Sequence, residues 1–184
     1  MSGIEALYWA QQYPNEIKGI VGLDMAVPES YKNYQINGFM LNASSLGSNV
    51  GIPRFFPAIV DDSASIKYCT LSEEEKNLYR AIFYRRTLTK TMISEVNEIK
   101  MNAEKVNKNG IPDVPMLFFI SNGDGTGWDK NKWIDTQISY IKTKDSNKYI
   151  KLNVGHYIHN IEYDKIAEES SKFIKDIINA SENN

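Results

Sequence analysis

Apolar residues follow a helical spacing at the start of the chain and a strand pattern directly after it. Ile4, Leu7 and Tyr8 recur at intervals of three and four, which predicts a helix over the first dozen residues. The Tyr13-Pro14-Asn15 segment ends that helix. The apolar run over 17–23 then predicts a strand buried on both faces, as in the middle of a parallel sheet.

The pattern changes from residue 28 to residue 112, where we predict helices and no strand. The predicted segments are an aromatic-rich helix over 30–44, a Gly/Ser/Asn/Pro-rich stretch over 44–57, a helix starting near Ser72, and a helical run over 87–108. Leu78, Ile82 and Phe83 form the apolar stripe of the helix that starts near Ser72. Because such a segment is too long for a simple connection, we expect a helical cap inserted into the sheet domain.

Residues 113–184 return to alternating strands and helices. The predicted order is a strand over 115–120, a Gly-rich turn over 121–127, a helix over 128–142, a strand over 149–154 and a closing helix over 161–178. Strands separated by helices predict an α/β fold with a parallel sheet flanked by helices. Asp24, Asp124 and His156 all follow predicted strands, so they should meet where such sheets bind ligands.

Composition and charge exclude several classes of protein. The formal net charge of −2, with acidic and basic residues interspersed, argues against a nucleic-acid partner. No apolar run approaches the length of a membrane span, so we expect no membrane partner. The single cysteine, Cys69, cannot form an internal disulfide, which favours the cytoplasm and a structural thiol. Two histidines and one cysteine are too few for a zinc site, and we expect neither metal nor cofactor.

Three segments together resemble the C-terminal portion of an α/β-hydrolase. Residues 1–10 are similar to the helix that follows the nucleophile elbow of that family. Pro115-Met116-Leu117 followed by Gly123-Asp124 resembles the strand and turn that carry the acid. Val154-Gly155-His156 resembles the turn that carries the catalytic base. The resemblance implies an incomplete hydrolase-type parallel sheet with core segments over 1–27 and 113–184 and a helical cap over 28–112.

The resemblance also implies roles for individual residues. His156 would be the general base, and Asp124 is favoured as the acid over Asp24, which ends the earlier strand. Asp129 is a weaker third choice, and His159 is a weaker candidate for the base. The alternative for His156 is a surface or hydrogen-bonding histidine, and the alternative for Asp124 or Asp24 is a turn-stabilising aspartate that bonds its own backbone.

The nucleophile would be the residue before Met1, so we expect the chain to begin just after the elbow. Met1 would then occupy the position whose backbone N–H helps to form the oxyanion hole. Ser2 is a poor substitute, because it aligns with the last glycine of the elbow and its hydroxyl should point away.

The function implied by the resemblance is hydrolysis of an ester- or amide-type bond in a small molecule by a serine hydrolase. We expect little or no activity from this chain alone. The alternatives are a non-catalytic small-molecule-binding module and a fragment that a partner completes, with self-association through an unpaired sheet edge. Aromatic residues of the expected cap could line the substrate pocket, namely Tyr31, Tyr34, Phe39, Phe55 and Phe56.

Overall fold

A computed structural model describes residues 1–68 and 71–182 of the chain. The chain divides into two compact units, Met1–Asn33 with Lys100–Asn184, and Tyr34–Ile99. Cys69, expected to be a structural thiol, lies outside the described residues.

The first unit contains a parallel sheet and the helices that flank it. In chain order its elements are α1 (Ser2–Gln12), β1 (Ile20–Leu23), a 3-10 helix (Pro28–Tyr31), the second half of α6 (Lys90–Lys108), β2 (Met116–Ile120), α7 (Lys130–Ile141), β3 (Lys148–Lys151), a 3-10 helix (Ile158–Asn160) and α8 (Tyr163–Glu182). The predicted α/β class and the parallel sheet flanked by helices are therefore confirmed.

The three strands run parallel in the order β1-β2-β3. Ile20 is in register with Met116, and Leu117 is in register with Lys148. All five residues of β2 are buried, which agrees with the fully apolar Met-Leu-Phe-Phe-Ile sequence. Because β2 is the central strand, its carboxyl end lies between those of β1 and β3.

A compact apolar cluster packs α8 against one face of the sheet. Phe173 and Ile166 on α8 contact a cluster that includes Leu117, Phe119 and Leu152. Ile174 on the same helix lies outside this cluster, since this residue is 50% exposed. The inward face of α8 is thus narrower than the apolar pattern alone suggests.

Two strands are shorter than their apolar runs. The run over 17–23 forms a strand only from Ile20, and the run over 149–154 continues as a strand only to Lys151. Leu23 is 40% exposed, so β1 is not buried on both faces.

The second unit is helical. Its elements are α2 (Gly38–Asn49), a 3-10 helix (Ile52–Phe55), α3 (Ala58–Asp61), α4 (Ala64–Tyr68), α5 (Glu73–Arg86) and the first half of α6 (Lys90–Lys108). Ser72 caps α5 through a capping box with Glu75, as the sequence suggests. The expected apolar stripe of α5 is not buried, because Leu78 and Ile82 are 61% and 53% exposed.

The helix predicted over 30–44 is displaced in the structure, because α2 begins at Gly38 and continues into the Gly/Ser/Asn/Pro-rich stretch as far as Asn49. The side chain of Asn37 accepts a hydrogen bond from Met40 N, so the helix begins at Gly38 instead. Two serines of that stretch donate to backbone carbonyls elsewhere in this unit, Ser45 to Leu88 and Ser48 to Thr87. These tertiary contacts satisfy the hydroxyl groups and let the helix run on to Asn49.

Among the described residues, no helix combines the length and the apolar character that a membrane crossing requires.

Candidate active site

A buried carboxylate stands at the end of β1. Asp24 follows the last strand residue, and its backbone N–H continues the ladder by donating to Phe119 O at 2.7 Å. Its φ of 46° lies in the left-handed region, which aspartate tolerates better than most residues. The side chain of Asp24 is completely buried. A carboxylate in such a place must find partners within the protein.

Four neutral groups donate hydrogen bonds to the two carboxylate oxygens of Asp24. Ser121, directly after β2, donates through its backbone N–H to Oδ1 at 2.9 Å and through Oγ to Oδ2 at 2.8 Å. Trp133 Nε1 and Gln137 Nε2, one turn apart on α7, both donate to Oδ1, at 3.0 and 3.1 Å. The Ser121 hydroxyl also accepts from Gly123 N, which directs its own proton towards Asp24.

The fifth partner of Asp24 is His156. Its Nδ1 lies 2.6 Å from Asp24 Oδ2, and its side chain keeps 32% of its surface exposed. The backbone N–H of His156 donates to Asp124 O at 2.7 Å, which fixes the turn after β3. Gly155 permits this close approach, because a Cβ there would lie 3.1 Å from the same carbonyl oxygen. Asp24 therefore fixes the Nδ1 side of the His156 ring, while part of the side chain remains exposed to solvent.

The hydrogen bonds determine the charge state of Asp24. Burial alone would raise the pKa of this carboxyl, but hydrogen bonds from His156, Ser121, Trp133 and Gln137 outweigh that effect and hold its pKa below the usual value. An ionised carboxylate can only accept, so the nitrogen that faces it, His156 Nδ1, must carry a proton. In the neutral imidazole this leaves Nε2 with a free lone pair, as a general base requires.

The pairing favoured from the sequence, His156 with Asp124, is not the pairing in the structure. The Asp124 carboxylate forms an ion pair with Lys130 at 2.5 Å, and its side chain is 54% exposed. Only the backbone of Asp124 reaches His156. The physical reason is the tight turn after β2, where Gly123 has a φ of 85° and the Asp124 side chain is directed towards α7. Asp24, the alternative acid, takes the place beside the imidazole.

The remaining candidates for the acid–base pair lie outside it. Asp129 is the N-cap of α7 and accepts from Lys132 N at 2.9 Å. His159 lies in the 3-10 helix before α8, is exposed, and packs its ring against Tyr157. Among residues 1–68 and 71–182 there is no group of three or more His, Cys, Asp or Glu side chains that could hold a metal ion.

The first turn of α1 lies beside the segment that follows Asp24. A Cβ at Gly3 would come within 2.7 Å of Ala26 O and 3.1 Å of Met25 Cβ, so only glycine fits there. Met1 is the N-cap residue, and its carbonyl accepts from Ile4 N at 2.9 Å. The role of Met1 in an oxyanion hole stays a prediction.

The five aromatic residues expected to line a substrate pocket differ widely in exposure. Tyr31 is buried in the first unit, whereas Phe39 and Phe55 in the second unit are 80% and 81% exposed. Phe56 is 57% exposed, and Tyr34 is half-buried. An open groove of about 520 Å³ beside α7 is lined by other residues, Tyr140 and Asp135 among them. The substrate pocket therefore also stays a prediction.

The sequence pattern did not identify the residues of α7 that donate hydrogen bonds to Asp24. Trp133 and Gln137 lie on the buried face of α7. Gln137 is fully buried although the neighbouring Ile134 and Ile138 are only half-buried. A polar residue one turn from a tryptophan on the inward face of a helix was the available signal.

Comparison of the sequence with known proteins finds a relative of this chain. No protein-family model matches the sequence. The chain is 29% identical over 186 residues to the uncharacterized protein YbdG of Bacillus subtilis (strain 168), an alignment that covers 96% of this chain and 56% of that protein. The chain thus spans about half the length of this curated relative.

A solved structure supports the fold of this chain. The crystal structure of the haloalkane dehalogenase DbeA-M1 loop variant from Bradyrhizobium elkanii is similar to 96% of this chain, with a TM-score of 0.51 and 20% sequence identity. The chain covers 65% of that structure. At this identity the likeness establishes the fold and not the activity. The chain therefore has an α/β-hydrolase-like fold.

Proposed function

We propose that this chain carries the acid–base pair of an α/β-fold serine hydrolase that cleaves an ester- or amide-type bond in a small molecule. The observation that carries the proposal is the 2.6 Å contact between His156 Nδ1 and the buried Asp24 Oδ2. His156 acts as the general base, and Asp24 holds its tautomer and stabilises the imidazolium.

The proposed reaction uses the free nitrogen of His156. As the serine oxygen attacks the substrate carbonyl carbon, its proton passes to His156 Nε2, and the ionised Asp24 stabilises the positive charge. When the bond to the leaving group breaks, the leaving group takes that proton. Water then attacks the acyl-serine in the same manner, which releases the acid and regenerates the serine.

The nucleophile in this proposal comes from outside these 184 residues. The resemblance places it directly before Met1, and the close packing of Gly3 against Ala26 supports that position, because it brings the first turn of α1 beside the loop after Asp24. The backbone amide of residue 1 would then help to bind the oxyanion. We accordingly propose that the 184-residue chain alone has little or no triad-based activity.

Reading and expressing the coding sequence upstream of Met1 tests the proposal. We expect a strand that ends in a serine elbow, and we expect the extended protein to react with a serine-directed fluorophosphonate probe. The His156→Gln variant of the extended protein should label far more slowly. An upstream sequence without such an elbow would refute the proposal. Labelling of the 184-residue chain that disappears in Ser2→Ala would instead make Ser2 the nucleophile.

A specific observation also favours a second candidate, a hydrolase fragment completed by a partner. In the sheet formed by the described residues, β1 pairs only with β2, which leaves the other side of β1 unpaired. Such an edge favours association with another strand. Sedimentation velocity of the purified 184-residue chain should then show self-association that grows with concentration. A monomer at all concentrations would contradict self-association through β1.

A further inference from the structure

Trp133 contacts both members of the acid–base pair. Its indole N–H donates to Asp24 Oδ1 at 3.0 Å, and its ring packs edge-on against the His156 imidazole with 5.8 Å between centroids. Trp133 is only 5% exposed, so its indole is held in place by packing. Gln137, on the next turn of α7, adds a second N–H to the same carboxylate oxygen.

We propose that Trp133 and Gln137 are positioning residues that keep Asp24 ionised and oriented towards His156. This inference rests on the proposed function, because it assigns their role through the same acid–base pair. Neither residue needs to touch the substrate. Each residue donates one neutral N–H to Asp24 Oδ1, and both donors lie on α7.

Among the described residues, no lysine or arginine donates to Asp24, which supports this role. The groups that hydrogen-bond to Asp24 are His156 and three uncharged residues, Ser121, Trp133 and Gln137. The charged side chains of Asp124 and Lys130 pair with each other instead, and the backbone of Asp124 lies against Gly155. The negative charge of Asp24 therefore depends on neutral N–H and O–H groups whenever His156 is unprotonated.

Two donors of different size allow independent tests. Trp133→Phe removes the N–H and keeps an aromatic ring against His156, whereas Gln137→Met removes the other N–H with little change in volume. Trp128→Phe is the matched control, since Trp128 packs against Trp133 at 6.2 Å between ring centroids and is not among the donors to Asp24. If Trp133→Phe does not fold, Gln137→Met carries the test alone.

The readout is the imidazole ¹⁵N spectrum of the labelled 184-residue chain, recorded from about pH 8 to about pH 2 so that the range includes protonation of Asp24, whose pKa lies below its usual value. The chain has two histidines, so His159→Gln assigns the signals, and the exposed His159 serves as an internal reference. The Nδ1 signal of His156 reports protonation of Asp24. We expect that step to move upward by about 1 pH unit in Trp133→Phe and in Gln137→Met, because a donor to the charged form is lost.

The Trp128→Phe control distinguishes the loss of a hydrogen-bond donor to Asp24 from a general effect of altered packing around Trp133. Trp128→Phe should leave the His156 signals unchanged. Wild-type curves in both donor variants, or an equal shift in Trp128→Phe, would overturn the inference. The measurement needs no nucleophile, so its failure is distinct from a failure of the hydrolase proposal, which is tested on the upstream-extended protein.

Discussion

His156 Nδ1 lies 2.6 Å from Asp24 Oδ2, although the two residues are 132 positions apart in the chain. The sheet makes this contact possible, because β1 and β3 both flank β2 and end at the same edge. Asp24 follows β1 directly, and His156 lies in the turn after β3. The contact is thus a product of the parallel topology and not of a local motif.

The first prediction concerns the tautomer of His156. In the 184-residue chain, neutral His156 should carry its proton on Nδ1, because the ionised Asp24 can only accept. Asp24→Asn presents an amide N–H to the ring in place of the carboxylate, so the proton should move to Nε2. Asp124→Asn should leave the tautomer unchanged. Long-range ¹H–¹⁵N spectra measure both, and an altered tautomer in Asp124→Asn alone would mean that Asp124 is the partner.

The second prediction concerns stability in acid. Asp24 has a pKa below its usual value in the folded protein, so its contribution to stability is complete above the ordinary carboxyl pKa, about 4, and is lost as pH falls through the folded value. The urea midpoint of the wild type should therefore exceed that of Asp24→Asn near pH 7, and the gap should narrow below about pH 4. Tryptophan fluorescence is a suitable probe, since all three tryptophans belong to the first unit. A gap that is independent of pH would contradict the expected ionisation of Asp24.

The third prediction concerns the Gly-rich turn after β2, which directs the Asp124 carboxylate towards Lys130 and away from His156. Gly123 and Gly127 have similar positive φ values, 85° and 76°, but only at Gly123 would a Cβ collide with a neighbour, at 2.7 Å from Lys130 Cα. Gly127→Ala should cost about 1–2 kcal/mol in backbone strain alone. Gly123→Ala should cost about 1–3 kcal/mol more, because α7 must shift. Urea unfolding measures both, and equal losses would show that the Gly123 contact is unimportant.

The fold could be predicted from the sequence because its signals are local and strong. The apolar run of β2 and the spacing of Ile166 and Phe173 in α8 each specify an element without reference to the rest of the chain. The same reasoning failed for α2, where Ser45 and Ser48 are satisfied by carbonyls about 40 residues away. Local propensity cannot anticipate a partner at that distance.

The pairing of His156 with Asp24 and not with Asp124 could not be predicted from the sequence for a similar reason. Asp24 and Asp124 follow neighbouring parallel strands, so the strand pattern places both at the same edge of the sheet. What distinguishes them is the set of donors around each. Trp133 and Gln137 are 109 and 113 positions from Asp24, and Lys130 captures Asp124 instead.

The central claim is that His156 and Asp24 form the acid–base pair of a hydrolase. The most direct measurement is the turnover of an activated ester by the upstream-extended protein, compared among the wild type, Asp24→Asn and Asp124→Asn. Asp24→Asn should lose kcat by at least about 100-fold, while Asp124→Asn should stay within about threefold of the wild type. The reverse order, or no loss in Asp24→Asn, would contradict the assignment of Asp24 as the acid.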